Sequence, residues 1–506
     1  MMNVKKTVSL LLALLLLLPV FAACSEKAAE KPAETPAAEE TAQITPSGEG
    51  EAAPVEEEPA KDMLDAREDV SDDLPAADFG GNTFRIAGDD EFEAYYLTDE
   101  QIGEVVNDAV FLRNTAVEER FNVTLDARVF TEGEIADRVK QSVTAGDDEY
   151  QMISGHIIYL GIGVTNKIMY DMATLPHIDF SRPWWAQSTV DDLTYKGMTF
   201  IAIGDFALSS ITKTYCMFYN KGLAANYSLP DLYEIVREGE WTKDKQVELS
   251  TGIYTDTNGN GRRDIADTYA LSTCTKSAAN AYLWAFGKKI ATQQPDGTYE
   301  FSYFDEKLVS IVEFLYNLYF ESKQVYFEAT HNPIHAFAKD PSVGTALFGN
   351  GLFEMATSTL RDVEFEYGII PYPKWDSAQP EYYTSVDGGH EGLAVPITIT
   401  DPEFIGTMFE VLCAESWKKT VPAYYDTALK YKGARDYDSI AMIDMIMASR
   451  IFDFGYVYGG WGPVFWIQYL LESKSKDIAS YYQKNHKGFE QHMEDVYQIF
   501  DTYSVE

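Results

Sequence analysis

Apolar residues fall into three textures along the chain. Between Val8 and Ala22 they run almost unbroken, with Lys5 and Lys6 ahead of them and Cys24 just behind. From Ser25 to about Asp78 there is no regular apolar pattern; the stretch is rich in Glu, Ala and Pro with scattered Lys and has no aromatic residue, as in Glu56-Glu57-Glu58-Pro59. From Phe79 to Glu506 hydrophobic positions recur with the periods of regular structure. Phe84 and Ile86 alternate with Arg85 and Ala87 into Gly88, which predicts a strand. Ile102, Val105, Val106, Ala109, Val110, Val117 and Phe121 recur at helical spacing, and Asn122 ends the run. Val123, Leu125, Ala127 and Val129 alternate again, and Tyr150 to Ile153, after Gly146-Asp147-Asp148, form a third strand signal. A βαβ opening of this kind predicts a mostly parallel sheet covered by helices on its faces. Further strand-like runs lie at Met198 to Gly204 and Thr214 to Lys221, and helical patterns at Leu308 to Phe320, Pro402 to Trp417 and Ile440 to Arg450.

The N-terminal apolar run is about a dozen residues long, too short to span the ~30 Å hydrocarbon core. With Ala22 and Ala23 before Cys24, residues 1–23 resemble a bacterial lipoprotein signal peptide, and the resemblance implies that Cys24 is diacylated and becomes the new N-terminus. The chain is then expected on the outer, extracytoplasmic face of the cell membrane, held by lipid. Residues 24–78 cannot bury enough apolar surface to fold, which predicts an acidic, self-repelling tether. A coil of roughly 50 residues would average on the order of 40 Å end to end.

The remaining length suits about two domains. A formal charge of −40 excludes a nucleic-acid partner, since no extended phosphate-neutralising surface survives such a field, and it argues against docking on anionic head groups. Membrane contact is left to the acyl chains. Apart from Cys24, the cysteines are Cys216, Cys274 and Cys413, widely spaced and without a CxxC. They read as buried thiols, with one bridge among the three left open.

Several motifs in order carry a family resemblance. Phe218-Tyr219-Asn220-Lys221 resembles the aromatic-Asn-Lys segment at which substrate-binding lipoproteins of ABC importers cross between lobes, and Gly239-Glu240-Trp241-Thr242 is similar to the Trp-Thr helix start that follows. Gly344 to Gly351 and Tyr367 to Pro373 resemble the paired segments before the second crossing, and Gly388 to Pro396 the crossing itself. Taken together, 79–506 resembles the family 1 extracellular solute-binding proteins, mostly carbohydrate binders. The resemblance implies an α/β, two-lobed periplasmic-binding-protein-like (type II) fold with three hinge crossings. Lobe one would comprise 79–217 and 392–435, and lobe two 218–391 and 436–506. It also implies a non-enzymatic role: capture of an oligosaccharide or related sugar in an interlobe cleft and delivery to ABC permease subunits by a monomer.

The segment Asp256 to Asp267 has the spacing of an EF-hand calcium loop: Asp256, Asn258, Asn260, Asp264 and Asp267 at positions 1, 3, 5, 9 and 12, Gly261 at 6, and the Arg262 carbonyl at 7. Asp267 stands where a longer Glu normally closes the shell, so the loop is expected to hold a structural calcium weakly, at ~10⁻⁴ M. An Asn-Gly-rich turn without metal is the alternative. In the resembled family similar loops brace the second lobe and do not touch ligand.

Aromatic residues make up 14% of the chain, and sugar faces pack on flat rings. Of the tryptophans near expected lobe junctions, Trp185 and Trp461 lie in loop-like sequence. Phe353 follows the Asn350-Gly351 turn where the resembled family presents an aromatic to sugar. Asp205, Ser209 and Arg361 lie near strand ends and supply hydroxyl-binding groups. These six are the candidate ligand residues. The chain has no GxSxG, HExxH or phosphate loop. A lipoprotein that binds a peptide or another solute, and a lipid-anchored glycoside hydrolase, are the alternative functions.

Overall fold

The computed structural model describes residues 66–503. Residues 1–65, with the signal sequence, Cys24 and most of the expected tether, lie outside the described residues. No described helix is long and apolar enough to cross a membrane.

Thirteen strands occur among the described residues: β1 Asn82–Asp89, β2 Val123–Phe130, β3 Met152–His156, β4 Tyr215–Asn220, β5 Tyr269–Cys274, β6 Ala291–Gln293, β7 Tyr299–Phe301, β8 Val325–Glu328, β9 Ala346–Leu352, β10 Tyr367–Ile370, β11 Thr384–Ser385, β12 Glu391–Ala394 and β13 Arg450–Ile451. They build two main sheets. The first has the order β12-β3-β1-β2, the second β10-β4-β9-β5-β8. In the first, β1, β2 and β3 are parallel, with Asn82 opposite Val123 and Asp89 opposite Phe130, while β12 runs antiparallel to β3. In the second, β5, β8 and β9 are parallel and β4 is antiparallel to both β9 and β10. Each sheet with its helices is one lobe of the two-lobed α/β fold expected from the sequence.

The opening βαβ unit follows from its residues. The helix Val105–Phe121 buries Ala109, Val110, Val117 and Phe121; Val117 and Phe121 join the apolar cluster of the first sheet, where full burial of such side chains contributes about 1.5–3 kcal/mol each. Asn122 ends it in the left-handed conformation (φ 50°). The apolar pattern began at Ile102, but the helix begins later because Gly103 adopts φ 79° and leaves Ile102 66% exposed. Arg113, buried in this helix, stacks 4.7 Å from the Phe206 ring and donates to the Tyr95 and Tyr96 carbonyls. Burial drives its pKa down to about 9.

Met198 to Gly204 forms no full strand. It joins the first sheet through a bridge between Ala202 and Leu393. Residues 66–78, read above as the end of the tether, are bound to the body. Asp72 receives Arg120 at 2.5 Å, Arg67 donates to the Trp417 carbonyl at 3.1 Å, and Asp78 holds Asn122 at 2.7 Å. Charges that a composition reading assigns to solvent are here paired with partners far along the chain.

The polypeptide passes from the first sheet to the second before β4, returns before β12, and leaves again after the helix Pro402–Lys418. The π-helical segment Pro422–Gly433 then packs into the apolar cluster under the second sheet, with Val421, Tyr424 and Leu429 beside Phe218 and Phe353. The C-terminal helix Ile478–Tyr503 touches both lobes: Phe500 lies against Tyr195 and Phe200, and Phe489 against Phe301. One apolar cluster therefore runs continuously along this side. Cys216, Cys274 and Cys413 are free, buried thiols.

Candidate functional site

In an open α/β sheet, ligands bind beyond the carboxyl ends of the parallel strands. In lobe one these ends carry Glu91 after β1, Glu132 after β2, and His156 and Tyr159 at and after β3. Because Glu391 pairs with His156 in the antiparallel β12, Asp387 to His390 enter at the same edge. In lobe two, β5 and β9 lead to Lys276, Ser277 and Glu354, and Tyr215 opens β4 opposite Leu352. These two edges meet.

Lys213, on the first crossing, joins them. Its Nζ lies 2.5 Å from Glu91 Oε1 of lobe one and 3.5 Å from Glu354 Oε1 of lobe two, and 5.5 Å over the Phe92 ring. Burial opposes the ammonium, but Glu354, Glu91 and Asp387 outweigh it and hold its pKa above the ordinary lysine value. Asp387 accepts from the Tyr215 hydroxyl at 2.5 Å and from the Gly389 N–H at 2.9 Å. Burial pushes against its ionisation, but these donors with Lys213 and His156 keep its pKa below the usual carboxylate value. At the far end, Trp461 lies 5.3 Å from the Tyr159 ring and 6.0 Å from the His156 ring, with 47% of its surface exposed. Carboxylates, an ammonium, a phenol and an open indole thus share one belt between the lobes. Such a set can donate to and accept from hydroxyl groups while an apolar face rests on a ring.

The belt continues past Glu354 and Tyr95 into a hollow of about 330 Å³ lined by Glu104, Val105, Thr357, Arg361 and Lys432. An adjoining hollow of about 240 Å³ is lined by Tyr95, Asn107 and Tyr424.

The six expected ligand residues are not brought together. Trp461 stands open at one end, and Arg361 lines the hollow at the other. Trp185 is a correction: it is 2% exposed, its indole N–H donates to Glu410 Oε2 at 3.0 Å, and it packs in the lobe-one core. Phe353 is a second correction, fully buried beneath the second sheet because its side chain turns into the cluster around Phe218. Ser209 is fully buried and serves the hinge: its Oγ lies 2.9 Å from Glu391 Oε2 and accepts the Glu391 N–H. Asp205 has its carboxyl buried, which lifts its pKa to about 7 with Arg450 and Arg67 opposing. A ring or carboxyl committed to the core offers no face to a ligand. Lys213, Tyr215, Asp387, His156 and Tyr159 were not among the candidates. Their signal was positional, since each stands at a strand end or on a crossing.

Glu391 gives the hinge a pH dependence. Tyr96 and Ser154 hydroxyls donate to its Oε1, yet burial outweighs them and Ser209 and raises its pKa to about 7. Burial also raises Glu410 to about 7. Between the ordinary carboxylate range and pH 7 the folded chain therefore holds more protons than the unfolded chain at Asp205, Glu391 and Glu410. These groups lose stability as pH rises through that window. Buried His390, lowered to about 4, acts oppositely, but only below its ordinary 6.5. Stability in urea is therefore expected to fall from pH 6.5 to 8, and Glu391→Gln to flatten the fall. A rise over that interval would contradict these assignments.

The loop Asp256 to Asp267 has the hydrogen bonds of a calcium cradle. The Gly261 N–H donates to Asp256 Oδ2 at 2.8 Å, and Gly261 adopts φ 70° to allow it. The Asn260 and Arg262 N–H groups donate to Asn258 Oδ1 and Asn260 Oδ1. Asp256 Oδ1 is buried without a hydrogen-bond partner, and Asp267 is fully buried. Asn258 and Asn260 amides donate to Asp264, whose pKa they lower along with the Ala266 N–H. Among the described residues no group of three or more His, Cys, Asp or Glu side chains is arranged to hold a metal. A site here therefore depends on the Asn oxygens and the Arg262 carbonyl as well.

No protein-family model and no curated protein matches the sequence. Solved structures do. The galacto-N-biose/lacto-N-biose I-binding protein of an ABC transporter from Bifidobacterium longum, in complex with lacto-N-biose, aligns at a TM-score of 0.55 and 12% identity, covering 84% of this chain and 98% of that one. A cyclo/maltodextrin-binding protein complexed with maltotetraose aligns at 0.52 and 11%, covering 84% and 97%. The GacH receptor of Streptomyces glaucescens aligns at 0.51 and 12%, with the same coverages of 84% and 97%. At such identities the likeness is one of fold. The chain has the two-lobed α/β fold of these binding proteins.

Proposed function

We propose that this chain captures a carbohydrate, an oligosaccharide or related sugar, in the belt between its lobes and hands it unaltered to an ABC permease. The observation that carries the reading is the meeting of both sheets' carboxyl edges around Lys213 and Asp387, with the exposed Trp461 ring at one end. Ligand contacting both lobes favours the closed arrangement, because only that arrangement offers both sets of contacts. The receptors of similar fold, bound to lacto-N-biose and maltotetraose, support a sugar as the ligand. The Ala-Ala-Cys motif at Ala22 to Cys24 supports anchoring by lipid on the outer face of the membrane, and the chain would act as a monomer. Calorimetric titration with an oligosaccharide panel, with the sugars recovered and analysed afterwards, tests the reading. Saturable binding of intact sugar is expected. Released product would make the chain a hydrolase, and binding of peptides alone would place it among peptide receptors.

We further propose that Asp256, Asn258, Asn260, Arg262, Asp264 and Asp267 hold a structural calcium ion, which would satisfy the unpartnered Asp256 oxygen and replace the amide donors on Asp264. Adding millimolar calcium to chelator-treated protein is expected to raise the melting temperature, and Asp256→Asn to abolish the rise. An unchanged melting temperature would retire the site.

A further inference from the structure

A second pocket lies away from the belt, beside the short pair β11 and β13. It has a volume of about 610 Å³, and its charged lining is Lys288, Lys289, Lys307 and Asp305. In a chain with twice as many acidic as basic residues, three converging lysines are unusual. Two are already engaged. Lys288 is buried, and its Nζ donates to the Ser302 carbonyl at 2.6 Å and to Asp305 Oδ2 at 2.8 Å. Lys289 Nζ donates to Asp192 Oδ1 at 2.5 Å. Lys307 has no ion pair or hydrogen bond among the described residues. Asp376 and Asp305 act on it only through space.

Lys288 and Lys289 are each paired with a carboxylate, whereas Lys307, with Asp376 and Asp305 near but not in contact, keeps its ammonium free at the open pocket. Burial, together with the neighbouring Lys288, makes the free ammonium costly and lowers its pKa, despite Asp376 and Asp305. An anion in contact with it would reverse that cost. Lys307 also stands in the first turn of the helix Glu306–Tyr316, where backbone N–H groups favour negative charge. The Tyr383 ring also lines the pocket.

We propose that this pocket binds a small phosphate-class oxyanion, free or as a monoester, with Lys307 as its principal partner and Lys288 and Lys289 completing the positive wall. The site is independent of the sugar-binding reading. Calorimetric titration of the purified chain with inorganic phosphate at constant ionic strength, alongside glycerol phosphate and chloride, tests it. Saturable one-to-one binding of phosphate is expected, weakened about tenfold or more by Lys307→Gln, as loss of a charge-assisted contact requires, and unchanged by the distant Lys323→Gln. Comparable binding of glycerol phosphate would assign a monoester, and binding of inorganic phosphate alone would assign the free ion. Absence of saturable binding, equal binding by the Lys307 variant, or equal competition by chloride would overturn the proposal.

Discussion

Replacing Glu410 by alanine is expected to destabilise the protein by about 2–6 kcal/mol, because two buried donors then lose their partner and each costs about 1–3 kcal/mol. Trp184 Nε1 donates to Oε1 at 2.9 Å and Trp185 Nε1 to Oε2 at 3.0 Å, so one carboxylate serves both indoles. The Asp179 N–H adds a third donor at 3.3 Å. Glutamine fits the space but turns an amide NH₂ toward one indole, so Glu410→Gln is expected to keep only part of the loss. The order wild type, Gln, Ala in urea midpoint checks this. Because burial lifts the Glu410 pKa to about 7, the carboxylate itself carries a desolvation cost, which places the alanine loss toward the lower part of the range. A midpoint for alanine equal to that of wild type would show that the two indoles find other acceptors.

Trp461→Ala is expected to weaken sugar binding by about thirtyfold or more, corresponding to roughly 2 kcal/mol for the loss of an aromatic anchor. The ring is half exposed and braced edge-on by Tyr159 and, tilted, by Phe465 at 5.1 Å, so its removal opens the belt without hollowing a core. Folding stability is expected to change little, which separates this variant from those at Glu410. Trp185→Ala serves as the contrast, with a large loss of stability. If Trp461→Ala binds sugar as wild type does, the ring is a wall of the site and not its platform.

The frame of the fold was legible because the apolar periods are long and clean. The alternation at Phe84 and Ile86, the helical stripe to Phe121 and the alternation from Val123 occur as β1, the helix Val105–Phe121 and β2. The helix start shifted because a single glycine conformation overrode the stripe at Ile102. Ordering of residues 66–78 was not legible, since Asp72 and Arg67 find partners at Arg120 and Trp417, a relation that composition does not carry. The same limit governs the site. An aromatic beside a turn looks alike whether it faces solvent or core. Trp461 and Phe353 differ because Phe353 turns under the second sheet, whereas Trp461 follows Gly459 and Gly460 and stays at the surface. Lys213 and Asp387 are ordinary charged residues in sequence, and only the convergence of two crossings makes them neighbours.

Small-angle scattering on the purified chain, with and without a saturating sugar identified by titration, tests the grip between lobes most directly. A smaller radius of gyration in the bound state is the result expected of halves that shut on their cargo. Identical curves at full occupancy would contradict it.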